Sequence, residues 1–373
     1  MRVGVIGVNG IGNAHLWALK KLVQEDLATC TAVCDVDPGR AEKAAADFTV
    51  AAFTDTKTMF ASGEVDAVII ATPPATHGLI AREALDAGLH VYCEKPICPT
   101  ADEGYALARH AHEQGRVLAV GFQFRFHTGY AAARAAAAEV GPLFRVQLTA
   151  TNWFRTRAYF DASGWRRTWA VAGGGVLMNQ AIHQLDALVS IAGMPATVRA
   201  TVRSVRHDAE VEDDALAMLT WANGATGVVV ASLNEPAGSE RIELYGERGA
   251  VVLTDGYAVR RVDHDDAQQT CDENPDEYPT LENEWHDVEV ARAPSEWLDM
   301  LIASERDFVL AATNGTAPSV DGTEGTRAVE LANAIYLSSY YGEEVALPLN
   351  RGEYPRLFED LATRAVAFPT RGW

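Results

Sequence analysis

The sequence predicts a doubly wound α/β domain over residues 1–122 and an α+β domain with a mainly antiparallel sheet over 123–373. Three observations carry this reading. Short apolar runs alternate with helical segments through the first third of the chain, the pattern of a parallel sheet covered on both faces. A glycine-rich turn separates the first strand from the first helix. Beyond Phe122 the apolar spacing changes to a period of two, punctuated by hairpin signals such as Asn223-Gly224 and Glu247-Arg248-Gly249.

Taken in order, Val3–Ile6, Thr29–Cys34, Ala67–Ala71, His90–Cys93 and Val117–Gly121 read as strands. Gly12–Leu22, Ala41–Phe48, His77–Ala87 and Ala101–Glu113 read as the helices between them. Phe144–Phe154 opens the second domain with alternating polarity and runs into a loop rich in Arg, Tyr and Trp. Gly173-Gly174-Gly175 precedes a helix over 177–192. Strands follow at 197–205, 215–221, 226–233, 242–245 and 251–254, then an acidic loop over 263–287 and a last helix from Thr323 to Tyr341. The tail is expected to pack back onto the body.

At 373 residues the chain can bury two cores. No apolar run approaches the roughly 18–20 residues of a membrane span. Met1 leads straight into a strand, leaving no room for a signal peptide, and the location expected is cytoplasmic. Five cysteines, with no Cys-x-x-Cys pair, suit a reducing compartment and suggest no metal site. A formal charge of −20 argues against nucleic acid and anionic membrane as partners and leaves a small-molecule substrate. Arginine carries nearly all the positive charge, and no lysine follows Lys95. That retention matters because a lysine can give up its proton usefully and an arginine cannot.

Gly7-Val8-Asn9-Gly10-Ile11-Gly12 occupies the strand-to-helix turn where a dinucleotide fingerprint belongs. Gly7 permits the tight turn, Gly12 lets helix and strand approach, and the helix N-terminus faces the pyrophosphate. Asn9 stands where the middle glycine is usual, and asparagine tolerates positive φ well enough to keep the turn. Asp35 ends the second strand, placed to accept the adenosine ribose hydroxyls and repel a 2′-phosphate. NAD is therefore favoured over NADP, with Arg40 counting the other way. Asp35 could alternatively serve only the turn that follows it.

Thr72-Pro73-Pro74 with His77, and Glu94-Lys95-Pro96, both follow strands at the carboxyl edge where open sheets bind ligands. The Glu-Lys pair could instead be a solvated strand end. In the second domain Asn179, His183 and Asp186 share one helical face just after the glycine triplet. A lone helical histidine is commonly structural, but an amide, an imidazole and a carboxylate in line suit acid–base work on a hydroxyl. His183 from one domain and Lys95 from the other would then meet across a cleft. Arg155, Arg157, Tyr159, Trp165, Arg166, Arg167 and Trp169 crowd one loop, suited either to a sugar ring or anionic substituent or to plain packing.

The fingerprint, Thr-Pro-Pro-x-x-His, Glu-Lys-Pro and Gly-Gly-Gly-Val-Leu-Met-Asn-Gln-Ala-Ile-His-Gln-Leu-Asp together resemble the glucose–fructose oxidoreductase/inositol dehydrogenase (Gfo/Idh/MocA) family from Val3 to about Tyr341. The resemblance implies a Rossmann domain, an open-faced second domain, a nicotinamide cofactor and a homodimer or homotetramer built through that sheet. Lys95 and His183 match the family's catalytic lysine and histidine, and Asp186 its helix aspartate. Trp165-Arg166 is similar to a pair placed near the cofactor, and Gln123 joins the cofactor-binding set. Asn179 departs from the aspartate usual in inositol dehydrogenases, and the segment from Tyr159 to Asp186 looks more like oxidisers of pyranosides or nucleotide sugars, often at C3. The function implied is NAD-dependent oxidation of a secondary hydroxyl on a sugar or polyol. Alternatives are an inositol dehydrogenase, an NADPH-dependent keto-sugar reductase and a non-catalytic dinucleotide-binding regulator. Retention of both Lys95 and His183 counts against the last.

Overall fold

The computed structural model describes residues 1–373 apart from 257, 282, 291–296 and 370–373. Residue 282 of the acidic stretch 263–287, and the other positions just named in the second predicted domain, lie outside the described residues. The first sheet has six parallel strands: β1 (Arg2–Ile6), β2 (Thr29–Cys34), β3 (Ala51–Phe53), β4 (Ala67–Ile70), β5 (His90–Cys93) and β6 (Leu118–Val120). Their order, β3-β2-β1-β4-β5-β6, is that of two mononucleotide-binding halves meeting at β1 and β4. β4 is buried at every position, which is why its apolar run is continuous. Between the strands run α1 (Ile11–Gln24), α2 (Pro38–Phe48), α3 (Thr56–Ala61), α4 (His77–Asp86) and α5 (Ala101–Glu113). Local chemistry sets their starts: Asp37 caps α2 with Pro38 in the first turn, and Thr100 caps α5 above Asp102 and Glu103.

α6 (Thr128–Glu139) leads to the second sheet, whose order is β14-β13-β12-β11-β7-β10-β9-β8-β15. These strands are β7 (Leu143–Ala150), β8 (Thr197–Arg203), β9 (Asp214–Thr220), β10 (Thr226–Ser232), β11 (Glu240–Gly246), β12 (Gly249–Thr254), β13 (Ala258–Asp263), β14 (His286–Asp287) and β15 (Val345–Ala346). Only β7 and β10 pair in parallel; the other neighbours are antiparallel. Between β7 and β8 the chain forms α7 (Arg157–Asp161), α8 (Trp169–Ala172), α9 (Val176–Asn179) and α10 (Ile182–Ala192). After β13 come α11 (Ala267–Glu273), α12 (Trp297–Asn314), α13 (Gly322–Tyr341) and α14 (Glu353–Ala362). α10 and α13 cover one face of the sheet. The other face is open: β9 alternates buried and exposed residues and leaves Leu216 and Met218 more than half exposed. Among the described residues no helix is long and apolar enough to cross a membrane.

The structure departs from the sequence expectations at several places, α7, α8, β15 and α14 among them. β3, α3, α6 and β13 are additional elements, short or (α6) alanine-rich with little polar contrast. α12 is a further addition, and it crosses back: Leu301, Ile302, Phe308 and Val309 pack with Val3, Val5, Leu16 and Leu19 of the first domain. The helix expected over 177–192 is broken at Gln180–Ala181, where the Ala181 amide reaches back to the Val176 carbonyl and widens the turn. The stretch 263–287 contains α11, capped by Asp266 and braced by Gln268–Asp272 and Gln269–Glu273 pairs, and its end adds β14 to the sheet. The tail does fold back, with Tyr354, Leu357, Leu361 and Phe368 all buried and Phe368 packed on Trp169 and Tyr336.

The glycine at the start of α1 sets how closely helix and strand approach. A Cβ on Gly12 would lie 1.7 Å from the Gly7 carbonyl oxygen, so backbone would have to move. Gly12→Ala should therefore lower stability by about 1–3 kcal/mol, the usual cost of overpacking. Urea unfolding is expected to show a lower midpoint with unchanged slope.

Candidate active site

A cavity of about 1030 Å³ lies along the carboxyl edge of the first sheet and is closed by the second domain. It is larger than the roughly 300–1,000 Å³ of usual small-ligand pockets. On the first-domain side Gly7, Asn9, Gly10, Ile11 and Asp35 line it. Gly7 and Gly10 have φ of 82° and 55°, and a Cβ on Gly7 would meet the Ala71 carbonyl at 2.8 Å. Asn9 does not have positive φ; the displaced glycine at position 10 takes it instead, contrary to the expectation for Asn9. Gly12 stands behind this turn, outside the cavity lining, and acts by close packing. No side chain caps the start of α1; the Gly12 amide donates to the Asn9 carbonyl at 3.1 Å, and the positive end of the helix is turned to an anion. Asp35 is buried, accepts the Val8 and Asp37 amides, and lies 4.0 Å from Arg40. A glycine cradle, an uncapped helix start and a carboxylate at the end of β2 fit a dinucleotide with free ribose hydroxyls.

The two crevice turns are tied together by His77. Its Nδ1 lies 2.8 Å from the Pro96 carbonyl and its Nε2 2.7 Å from that of Thr72. Burial lowers its proton affinity, and the two carbonyls only partly restore it. His77, Thr72 and Pro73 all line the cavity, but the histidine's polar atoms are occupied in bracing it. Glu94 is likewise committed: Oε1 faces His15 Nε2 at 3.1 Å and Oε2 accepts the Lys95 amide at 3.1 Å. His15 Nδ1 in turn meets Glu305 of α12 at 2.7 Å. Burial disfavours the His15 cation, yet the two carboxylates prevail and raise it to about 9. Burial pushes Glu305 up to about 7, whereas His15 outweighs burial at Glu94 and keeps that carboxyl below its ordinary value.

Lys95 and His183 meet in this cavity. Lys95 Nζ donates to the Asn179 backbone carbonyl across the domain junction at 2.8 Å. Burial lowers the lysine's proton affinity and Glu94 partly opposes it. His183 is held far below its ordinary value, first by burial and then by the Lys95 charge. Its ring stacks on Phe124 at 4.4 Å and meets Phe122 edge-on at 5.7 Å, and its Nδ1 is buried without a hydrogen-bond partner. The orientation of this imidazole thus comes from aromatic walls.

Asp186, one helical turn further along α10, does not reach the cavity. Arg125 Nε and Nη2 each donate to its carboxylate at 2.7 Å. Arg157 is exposed and also outside the lining, because α7 turns it to solvent. Arg155, Tyr159, Trp165, Arg166, Asn179 and Gln123 do line it. The Tyr159 hydroxyl accepts from Asn179 Nδ2 at 3.2 Å and from Gln180 Nε2 at 2.8 Å. Arg167 pairs with Asp161, and Trp169 is core, its indole donating to the Glu210 carbonyl. Trp153, Phe124, Gln180 and Trp297 are lining residues that sequence reasoning missed. Only Gln180 carried a signal, its place inside the Asn-Gln-Ala-Ile-His motif.

The glycine triplet earns its place through Glu212. This buried carboxyl accepts the Gly175 and Leu177 amides and the Tyr336 hydroxyl, so it caps the short helix that delivers Asn179. A Cβ on Gly175 would lie 1.7 Å from the Glu212 carbonyl oxygen. Burial lifts Glu212 to about 7 despite those donors.

Comparison with known proteins agrees with this geometry. Residues 1–122 match the model of the oxidoreductase family with an NAD-binding Rossmann fold, and 129–252 match the Gfo/Idh/MocA C-terminal domain. The chain is 30% identical to D-xylose 1-dehydrogenase (NADP(+)) 2 of Haloferax volcanii over 93% of its own length and 100% of that protein. It is 34% identical to UDP-N-acetylglucosamine 3-dehydrogenase of Acidithiobacillus ferrooxidans, over 65% of this chain and 71% of that one. The WlbA dehydrogenase of Bordetella pertussis, solved with NADH and UDP-GlcNAcA, superimposes with a TM-score of 0.79 at 27% identity, over 94% of this chain and 99% of the other. Fingerprint, crevice turns and the Lys95–His183 pair thus sit on a chain that belongs to the Gfo/Idh/MocA family of oxidoreductases.

Proposed function

We propose that this oxidoreductase removes hydrogen from a secondary hydroxyl of a sugar or sugar derivative, a pyranoside or nucleotide sugar, with C3 as the carbon oxidised. The observation that carries the reading is the meeting of the Lys95 amine and the His183 imidazole in the cavity that also holds the glycine fingerprint. Relatives named as dehydrogenases of xylose and of a UDP-sugar support the substrate class.

Bound NAD supplies the hydride acceptor in this chemistry. The protein's part is to hold the hydroxyl and move its proton. Lys95, fixed by the Asn179 carbonyl, donates a hydrogen bond to the reacting oxygen and favours its anionic character. His183, neutral at working pH, accepts the proton. Phe122, Phe124 and Trp153 keep water from the reacting atoms. Asp35 holds the ribose hydroxyls and disfavours a 2′-phosphate, with Arg40 beside it. The division into a cofactor domain, 1–122, and a substrate and oligomerisation domain, 123–373, fits this sharing of tasks, with α12 lent back to the first. A cytoplasmic homodimer or homotetramer joined through the open sheet face would cover Leu216 and Met218.

A panel of hexoses, polyols and nucleotide sugars tests the function through NADH formation; no turnover with any of them sinks it. His183→Ala and Lys95→Ala should each lower kcat by about 10²–10⁴-fold, the range of lost acid–base assistance. NADH affinity, read by fluorescence titration, should stay within about threefold. Because burial and Lys95 depress the proton affinity of His183, the base is still neutral somewhat below pH 6.5. The acid limb of kcat/KM is therefore expected below pH 6.5; a midpoint at or above it would remove His183 as the base. Asp35→Ala should raise the NADP/NAD ratio of kcat/KM by about tenfold or more, since it deletes the charge opposing the phosphate.

A further inference from the structure

The second-domain end of the cavity carries charge that the protein does not neutralise. Three arginines line the cavity, and Arg40 is paired with Asp35 and Asp37. Among the described residues Arg155 and Arg166 have no carboxylate partner. The Arg155 guanidinium lies 5.3 Å from the Trp153 ring and 4.9 Å from that of Tyr159. Its Nη1 donates to the Phe154 carbonyl at 3.2 Å, while its Nε is buried without an acceptor. Arg166 sits 4.4 Å from the same Tyr159 ring, its Nη1 on the Tyr159 carbonyl at 3.1 Å. Two guanidiniums sharing one ring repel each other, and a buried donor without an acceptor is costly. A chain of net charge −20 has ample carboxylates with which to relieve this, and has put none there.

The backbone of Arg155 is also held with care. Its amide donates to the Leu233 carbonyl, and its own carbonyl lies 3.0 Å from His207 Nε2. His207 Nδ1 is 2.8 Å from Asp213 Oδ2. That buried carboxylate further accepts the Val205, Arg206 and His207 amides and the Asn234 amide group. Burial would raise Asp213, but these donors hold it at about 2, so it stays charged. An arginine fixed this way pays little entropy on binding.

Arg155 is linked through Tyr159 to the part of the cavity that holds Lys95. It stacks on Tyr159, whose hydroxyl is held by Asn179, and the Asn179 carbonyl holds Lys95. A sugar presenting one hydroxyl to Lys95 therefore directs a substituent across the ring toward Arg155.

We propose that Arg155, assisted by Arg166, docks an anionic substituent of the sugar, a carboxylate or a phosphate ester, so that the substrate is a sugar acid, a sugar phosphate or a nucleotide sugar. This rests on the sugar reading above and narrows it to charged members.

Equilibrium binding to the NADH-loaded protein tests it independently of turnover. The probes are glucose and galactose against glucuronate, galacturonate, glucose 6-phosphate and UDP-glucose. At least one anionic probe should bind about 30-fold more tightly than its neutral counterpart, the strength of a charge-assisted hydrogen-bonded pair. Arg155→Gln should erase that margin, Arg155→Lys should keep part of it, and NADH affinity should not change. Preference for uronates assigns a carboxylate; preference for glucose 6-phosphate or UDP-glucose assigns a phosphate. Neutral sugars binding as tightly as charged ones, no binding of any anionic probe, or an equal loss of NADH affinity in Arg155→Gln would each overturn the proposal. Charged sugars that bind through Arg155 yet are never oxidised would defeat the dehydrogenase reading and leave this site standing.

Discussion

An ammonium withdrawn from water at the junction of two domains, and bonded there to a backbone carbonyl, is the constraint around which the site is built. Lys95 comes from the end of a parallel strand and Asn179 from the second domain, so the hydrogen bond between them exists only when both halves of the chain are docked. Removing a lysine from solvent disfavours its charge, and the surroundings must compensate. Glu94 supplies part of that compensation. Glu94 is itself buried, and it remains ionised because His15 lies against it and is charged by Glu305 in turn. The charge at the reacting end of the cavity is thus anchored through His15 on α1, the helix that follows the fingerprint, to α12, which arrives from the far end of the sequence.

Two other buried acids serve as templates for polypeptide geometry, and a third holds a side chain. Glu212 gathers two amides and a tyrosine hydroxyl to start α9. Asp213 gathers three amides, a histidine and an asparagine to seat the segment carrying Arg155. Asp186 fixes Arg125. Glu212 and Asp213 satisfy in the interior donors that irregular backbone would otherwise leave unpaired, which is the requirement for burying loops at all. Glu212 and Asp213 are sequence neighbours just before β9 and work on different segments, so one short stretch governs both the helix that delivers Asn179 and the loop that carries Arg155.

The legibility of the sequence followed this distinction. The first sheet could be read because its strands are buried on both faces and its helices carry explicit caps, as at Asp37 and Thr100. Asp35 and Lys95, at strand ends, and His183, on the helix after the glycine triplet, stand out by residue type and position, and the structure brings them to one cavity with the fingerprint turn. What escaped was set by tertiary partners. No local signal says that α12 will pack on Leu16 and Leu19, or bring Trp297 to the cavity. Spacing placed Asn179, His183 and Asp186 on one face, but Gln180–Ala181 interrupts the helix and Arg125, distant in sequence, turns Asp186 away. Arg157 was grouped with Arg155 by proximity in the chain, whereas the start of α7 separates them.

The diversion of Asp186 bears on how His183 and Lys95 hold their protons. A carboxylate against His183 would stabilise the imidazolium and raise the ring's proton affinity, so that the ring would begin to fill with its proton nearer neutral pH. With that carboxylate bound by Arg125, the ring is left between Phe122 and Phe124, and its nearest charge is the Lys95 cation. Two protonated groups in one poorly hydrated space repel, so only one keeps its proton with ease. Lys95 holds it, through the Asn179 carbonyl and Glu94; His183 has no such support and stays neutral. On the reading proposed above, the pair enters the reaction divided into a cationic donor for the reacting oxygen and an empty acceptor for its proton, the order of the two groups' ordinary proton affinities, and burial with the Lys95 charge keeps the imidazole empty to lower pH.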